Sequence, residues 1–285
     1  MKVYRTEDNS KYIHDDGSET IIKTSETNTS MFTVSISSSV GCSLGCKYCY
    51  LTIQNYPYQE LSSKQVFENI KIAVSNEIKL KPELRKKYIR LDWSGMGDAF
   101  LIDPIELRHI SNKIISWSVT DAGAAIGIDS IHITTMLPEV KPGWPHQLAL
   151  LNDDCFNYRI NPQKNKVSNL QLFYSLNRFH NRNLLMPASR ANTPISDLHL
   201  LNQFKQWYGV DIILNQLLIE GENDTTEELK KLKSAIYNII NNVEVNIIRL
   251  DSYGDLKYKE SKNFNNLVQM YIKNLPKVTC QQPSN

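Results

Sequence analysis

Three thiols stand within eight residues of one another in this chain, as Cys42, Cys46 and Cys49 of Gly41-Cys42-Ser43-Leu44-Gly45-Cys46-Lys47-Tyr48-Cys49. Their spacing is C-x3-C-x2-C. Three thiolates from one loop can cap three irons of a cubane cluster and leave the fourth iron without a protein ligand. Structural zinc normally takes four protein ligands in two paired sets, and no second C-x2-C pair exists here. A three-cysteine zinc site completed by a histidine, or incidental thiols, are the plainer readings. The other two cysteines, Cys155 and Cys280, stand apart. A free cysteine is usually a small buried hydrophobe, and that is the expectation for Cys155. A cysteine near the chain end, such as Cys280, is expected to be mobile and exposed.

Further candidate groups fall in short polar stretches. Ser94-Gly95-Met96-Gly97-Asp98 contains two glycines that let backbone approach a ligand closely, and Asp98 could accept from an ammonium. Thr134, Thr135 and Ser175 follow apolar runs. Arg178, His180, Arg182 and Arg190 cluster; they read either as a solvated loop or as a phosphate-binding rim. The basic run Lys79, Lys81, Arg85, Lys86 and Lys87 reads as a solvated helix end.

Positioning these groups requires a frame, and hydrophobic periodicity supplies one. Residues 31–37 alternate apolar and polar as in a strand. A helix follows, with Ser62 or Ser63 as N-cap and Val66, Phe67, Ile70, Val74 and Ile78 as its stripe. Strands are expected at 88–93, 131–136, 170–175, 210–219 and 243–250. Helices are expected from Asp103-Pro104 (with Leu107, Ile110, Ile114 and Trp117 inward), at 197–207, at 225–238 and at 264–275. The first 30 residues read as a polar lead-in with a hairpin around Asp15-Asp16-Gly17. Strands alternating with helices imply parallel βα units and an open or partial barrel. In such folds chemistry sits at the C-terminal strand ends. The cysteine loop, the Gly95 loop, Thr134 and Ser175 all fall there, so one shared site is expected.

Composition sets the outer bounds. The 285 residues are 41% hydrophobic and 22% charged, which excludes a wholly disordered or collagen-like chain. A net charge of +2 gives no support for a dedicated nucleic-acid domain. No apolar run approaches the roughly 20 residues of a membrane span, and the N-terminus has no apolar signal core. A soluble cytoplasmic protein is the expectation. An odd cysteine count of five in a chain this long argues against a secreted disulfide framework.

The cysteine spacing, with the aromatic Tyr48 just before the third thiol, resembles the radical S-adenosylmethionine (SAM) superfamily. The resemblance implies a partial (β/α)6 TIM-like barrel over residues 31–255, after the lead-in of 1–30 and before a C-terminal helix and tail over 256–285. It implies a [4Fe-4S] cluster on Cys42, Cys46 and Cys49, with S-adenosylmethionine chelated to the open iron. Reductive cleavage would give a 5′-deoxyadenosyl radical that abstracts hydrogen from a substrate. An electron donor such as flavodoxin or ferredoxin is implied too. No membrane partner and no DNA motif are indicated.

Further segments resemble one branch, the RlmN and Cfr RNA adenine methyltransferases. These are Ser37-Ser38-Ser39-Val40-Gly41-Cys42, Gly95-Met96-Gly97-Asp98, Ile133-Thr134-Thr135, Tyr174-Ser175-Leu176-Asn177, Glu220-Gly221-Glu222-Asn223-Asp224 and Val245-Asn246-Ile247-Ile248. By carry-over, Tyr48, Gly95, Gly97, Asp98, Thr134, Ser175 and Asp251 would contact S-adenosylmethionine. Cys280, followed by Gln281-Gln282, would be the methyl-carrying cysteine and hence the catalytic residue.

This sequence departs from the branch at several points. Ser35 stands where the branch has its second, resolving cysteine, and a hydroxyl is a far poorer acid, base or disulfide partner. Asp98 replaces a Glu, Asn177 a His and Asp251 an Asn. The branch's N-terminal RNA-binding extension is not found. The main expectation is therefore a radical SAM enzyme acting by hydrogen abstraction on another substrate, such as a nucleotide or RNA base. The alternative is RNA adenine methylation through Cys280. A non-catalytic iron–sulfur or zinc module, or a partner subunit without catalysis, would leave the Gly95 loop and the threonines without a task. His132 is expected to be packed or hydrogen-bonded. Trp93, Trp117, Trp144 and Trp207 are expected at core or rim.

Overall fold

A computed structural model describes residues 1–24, 30–120, 127–138, 143–157, 170–189, 194–250 and 257–281. In chain order the strands and helices are β1 (Lys2–Arg5), β2 (Asn9–Ile13), β3 (Glu19–Lys23), β4 (Met31–Ile36), β5 (Ser39–Val40), α1 (Tyr50–Ile53), β6 (Gln59–Glu60), α2 (Ser63–Leu80), β7 (Tyr88–Trp93), α3 (Pro104–Thr120), β8 (Ile128–Thr135) and α4 (Trp144–Asn157). They continue as β9 (Leu170–Ser175), α5 (Arg182–Leu185), α6 (Pro194–Tyr208), β10 (Asp211–Leu217), α7 (Thr226–Asn238), β11 (Glu244–Ile248), α8 (Phe264–Asn274) and β12 (Val278–Gln281). The class is mixed α/β with mostly parallel strand pairing. Among the described residues no helix is long and apolar enough to cross a membrane.

Two compact units divide the chain. The first comprises Met1–Ser43, Tyr56–Thr134 and Val140–Gln171. Here β1, β2, β3 and β4 form an antiparallel meander, and β4, β7 and β8 pair in parallel. Alternation explains why β7 is a strand: Ile89, Leu91 and Trp93 are buried and the residues between them are not. Helix α2 starts at a capping box. The Ser62 side chain accepts from the Gln65 amide, and Gln65 reaches back to the Ser62 amide, which satisfies two otherwise orphaned donors. Its buried stripe includes Val66, Phe67, Ile70, Val74 and Ile78. Asp103 opens α3 by accepting from the Ile105 amide at 2.9 Å. Phe100 stacks on Trp144 with centroids 3.9 Å apart.

A buried carboxyl group ties the meander to α2 in this unit. Glu77 is fully buried on α2. It accepts from Ser10 Oγ at 2.9 Å and from Tyr12 Oη at 2.7 Å, with Lys81 Nζ at 3.4 Å. Burial and the Glu77 carboxylate push the Tyr12 phenol up to about 12. The network ties the meander to α2, and hydrophobic patterning gives no hint of it.

The second unit comprises Leu44–Asn55, Thr135–Glu139 and Leu172–Asn285. Its strands are ordered β9-β10-β11-β12, with β10, β11 and β12 parallel. Helix α7 begins at Thr225, whose side chain accepts from the Glu228 amide. Glu227 and Glu228 in its first turn complement the helix dipole.

Four features differ from the expectations. Three strands, not one hairpin, precede β4. Helix α4 lies where no element is expected. Helix α6 begins at Pro194, three residues before the expected start. Strand β12 occupies what reads as a tail, so Cys280 is held in register opposite Ile247 of β11 rather than on a mobile end. A four-residue strand has too little periodicity to be seen; pairing with β11 makes it one. Trp93, Trp117 and Trp144 are buried, whereas Trp207 is 67% exposed.

Candidate active site

Strands β4 and β7 are parallel neighbours, with Ser35 opposite Asp92. The segments leaving their C-terminal ends are therefore brought side by side. These are residues 37–43, which lead into the cysteines, and the loop 94–98. Gly95 N donates to Ile36 O at 3.0 Å and Ser38 N to Met96 O at 2.8 Å. Met96 N donates to Ser37 Oγ at 3.1 Å, and Gly41 N approaches Met96 Sδ at 3.4 Å. The loop is seated so closely that side chains have no room. A Cβ on Gly95 would lie 2.7 Å from the Ile36 carbonyl, and one on Gly97 would lie 2.3 Å from Ser38 Oγ and Ser39 Oγ. Gly97 also has φ +88°, which L side chains resist.

Asp98 is buried and accepts from the Phe100 amide at 2.9 Å, so one carboxylate oxygen caps the 99–101 turn. Thr134 is half-buried near the end of β8. Ser35 is buried within β4, between β3 and β7. His132 is half-buried on β8.

The second unit holds the later part of the cysteine loop. Cys49 N donates to Cys46 O at 3.0 Å, closing a turn, and Thr52 N and Ile53 N donate to Cys49 O to begin α1. Lys47 N donates to Leu185 O at 3.0 Å, and Cys46 Sγ lies 3.6 Å from Met136 Sδ. Tyr48 Oη receives a hydrogen bond from Asn177 Nδ2 at 2.8 Å. Burial, then the charge of Cys46 and Cys49, raises the Tyr48 phenol well above its ordinary value.

Asn177 occupies the left-handed region with φ 54°, which Asn tolerates better than most residues. Its Oδ1 accepts from Leu217 N at 2.9 Å. Its carbonyl accepts from Gln216 Nε2 at 2.8 Å and from Asn223 Nδ2. Beside it, Arg182 is buried. Arg182 donates to Leu176 O at 3.0 Å, Ser175 O at 2.7 Å and Met136 O at 3.1 Å. Its guanidinium faces Asp197 at 3.4 Å and the Tyr174 ring at 5.0 Å.

These partners correct the phosphate-rim reading. Arg182 is a buried structural cation, and Arg178 pairs with Glu222. Exposed His180 is turned to a 360 Å³ cavity also lined by Phe179, Pro194, Ile195, Lys231 and Ala235. That cavity includes none of the expected site residues. Arg190 and Asp251 lie outside the described residues, as does the side chain of Cys155. Cys280 is exposed on β12. Burial pushes its thiol up, with Arg249 opposing and Glu260 reinforcing.

Cys42, Cys46 and Cys49 are half-buried and in no disulfide. Among the described residues no group of three or more His, Cys, Asp or Glu side chains stands close enough together to hold a metal ion as placed. The donor chemistry nevertheless suits an iron–sulfur cluster: three thiols stand on one loop, free of disulfides. Sequence patterns do not reveal Met136 and Leu185 as the neighbours of Cys46 and Lys47. The one visible signal is an Asn after the β9 strand end, at Asn177.

No family model matches the chain. A protein of Opitutus terrae named "Probable dual-specificity RNA methyltransferase RlmN 3" is 22% identical over 230 residues, which is 80% of this chain and 55% of that protein. A dual-specificity RNA methyltransferase RlmN of Sulfurovum sp. is 25% identical over 252 residues, 87% of this chain and 60% of the relative. The chain thus spans less than two thirds of the length of these relatives. In fold it matches the crystal structure of a radical SAM methyltransferase from Sphaerobacter thermophilus, with TM-score 0.69 and 17% identity over 99% of this chain and 76% of that one. The chain is therefore similar in sequence to the RlmN branch, and its fold is that of a solved radical SAM methyltransferase.

Proposed function

We propose that this chain is a radical SAM enzyme with methyltransferase activity, its substrate class being a nucleotide or RNA base. The similarity to RlmN relatives favours this over hydrogen abstraction without methyl transfer, so the order of preference drawn from the sequence is reversed. The observation that carries the reading is the close seating of the Gly95–Gly97 loop on residues 36–41, directly before the cysteines. A bare backbone loop seated on the segment that leads into Cys42 is what a chelated cofactor requires.

Cys42, Cys46 and Cys49 would hold a [4Fe-4S] cluster. Bound there, the cluster would supply the electron that splits the sulfonium of S-adenosylmethionine. Gly95 and Gly97 let the loop seat directly on residues 36–39, and its backbone would contact that ligand. Asp98, Thr134, Ser175 and Asp251 would complete its contacts. A flavodoxin or ferredoxin would deliver the electron. Cys280 would accept the methyl group. Its raised thiol must first lose a proton, so a base is needed. Ser35 offers no thiol for a disulfide, so release of a protein–substrate adduct takes a different route from the two-cysteine branch.

Anaerobic reconstitution with iron and sulfide, then reduction with S-adenosylmethionine and an adenine-containing RNA, tests this by mass spectrometry. S-adenosylhomocysteine with a single-methyl increment on Cys280 is expected. 5′-Deoxyadenosine without S-adenosylhomocysteine would return the assignment to hydrogen abstraction. Zinc in place of iron, with neither product, would overturn it.

A further inference from the structure

We propose that the cavity bordered by α7, the start of α6 and the segment after β9 binds a compact amphipathic carboxylate, an apolar ring or branched chain carrying one anionic head. All of its lining residues belong to the second unit. The inference depends neither on a cluster nor on S-adenosylmethionine.

Small side chains open the cavity. Lys231, Ser234, Ala235 and Asn238 line it from α7; their spacing of i, i+3, i+4 and i+7 puts them on one helix face. Ser234 and Ala235, in the middle of that face, are too small to fill the space that Phe179 and Ile195 border. The volume of 360 Å³ falls at the lower end of small-ligand sites. Burial sorts the lining. Pro194 and Ala235 are buried, Phe179 and Ile239 are half-buried, and His180 and Ser234 are exposed. Ile195, 46% exposed, leaves apolar surface uncovered beside them. An apolar interior with polar groups at the mouth matches a ligand that has one apolar and one polar end.

The polar groups set the sign of that end, because they are donors. Lys231 and His180 make no ion pair or hydrogen bond among the described residues. Asn238 Nδ2 donates to Ser234 Oγ at 3.1 Å, which leaves the Ser234 hydroxyl hydrogen to be given elsewhere. Among the described residues no carboxylate lines the cavity. Two acids on the same helices are engaged: Glu228 accepts from the Phe179 amide at 2.8 Å, and Asp197 accepts from the Tyr174 hydroxyl and faces Arg182. Glu227 stands one turn before Lys231 without pairing with it. A carboxylate head would take the ammonium, the imidazole and the hydroxyl as donors, and charge-assisted hydrogen bonds of this kind are about twice as strong as neutral ones.

The test is a fluorine NMR titration of the full chain with para-fluorophenylacetate. The neutral para-fluorophenethyl alcohol and the cationic para-fluorophenethylamine are run beside it. The acid should saturate one site, with a Kd of about 1 mM or tighter for a fragment of this size. The alcohol should bind more weakly and the amine more weakly still. Lys231→Met keeps the apolar stem and removes the charge; it should weaken the acid by about tenfold and leave the alcohol nearly unchanged. Ala235→Leu fills the cavity and should abolish binding of all three. Ser234→Phe, at an exposed position, replaces it if A235L does not fold. An alcohol or amine that binds as tightly as the acid overturns the carboxylate assignment, as does unchanged acid binding in K231M. Binding that survives in the folded filling variant overturns the cavity as its site. No saturable binding of any of the three probes overturns the proposal altogether.

Discussion

Replacing Arg182 by Met separates a buried keystone from a phosphate-contacting arginine. The methionine keeps most of the apolar stem and removes the guanidinium. The side chains of Arg182 and Asp197 are 3% and 2% exposed, 3.4 Å apart. Three backbone carbonyls, of Ser175, Leu176 and Met136, lose a charged donor at once. Asp197 keeps the Tyr174 hydroxyl at 2.7 Å but loses its counter-ion. Breaking a buried pair from one side costs about 3–5 kcal/mol. That is a large share of the roughly 5–15 kcal/mol by which a domain is stable. The assay is urea denaturation, in which the midpoint should drop at unchanged slope. The double variant R182M/D197N removes the stranded charge and keeps an acceptor for Tyr174, so it should recover part of the loss. A loss below about 1 kcal/mol in R182M, typical of a solvated surface site, would refute the reasoning. So would a double variant no more stable than R182M.

Three further outcomes follow from the geometry. Gly97→Ala must place a methyl 2.3 Å from two serine hydroxyls at φ +88°; it should cost about 1–3 kcal/mol of local strain and abolish S-adenosylmethionine cleavage, and wild-type cleavage by G97A would refute the close-seating argument. Cys280, its thiol pushed up chiefly by burial, should alkylate more slowly than free cysteine at neutral pH and accelerate above the ordinary thiol range; peptide mapping after iodoacetamide treatment reads this, and a faster-than-free rate would contradict it. Tyr12 is raised to about 12, above its unfolded value of about 10. Its contribution to stability is then complete below pH 10 and is lost as pH rises toward 12. Thermal melts across that window should show the fall, and Tyr12→Phe should flatten it.

Cys42, Cys46, Cys49 and the Gly95–Gly97 pair were legible because spacing along the chain is itself the chemistry. Thiols three and four residues apart must share a loop, and glycines flag a backbone that needs room. The βα alternation was legible for the same kind of reason, since period two and period 3.6 are local. Capping was too, at Ser62 and at Asp103 before Pro104, because a cap acts within one turn; the Thr225 cap and the Gln65 half of the capping box emerge only in the structure. What failed were features whose partners are remote. Strand β12 exists because β11 offers it a ladder, so Cys280 looked like part of a loose tail. Arg178 and Arg182 looked like a basic rim until Glu222, Asp197 and three carbonyls took their charges inward. Glu77 broke no pattern on α2 that would announce its burial against Ser10 and Tyr12. The sequence by itself determined where along the chain the thiols proposed to bind iron stand. Tertiary structure decided which polar groups are spent holding the fold and which way Asn177 faces Tyr48, because burial and hydrogen-bond polarity depend on neighbours that are distant in the chain.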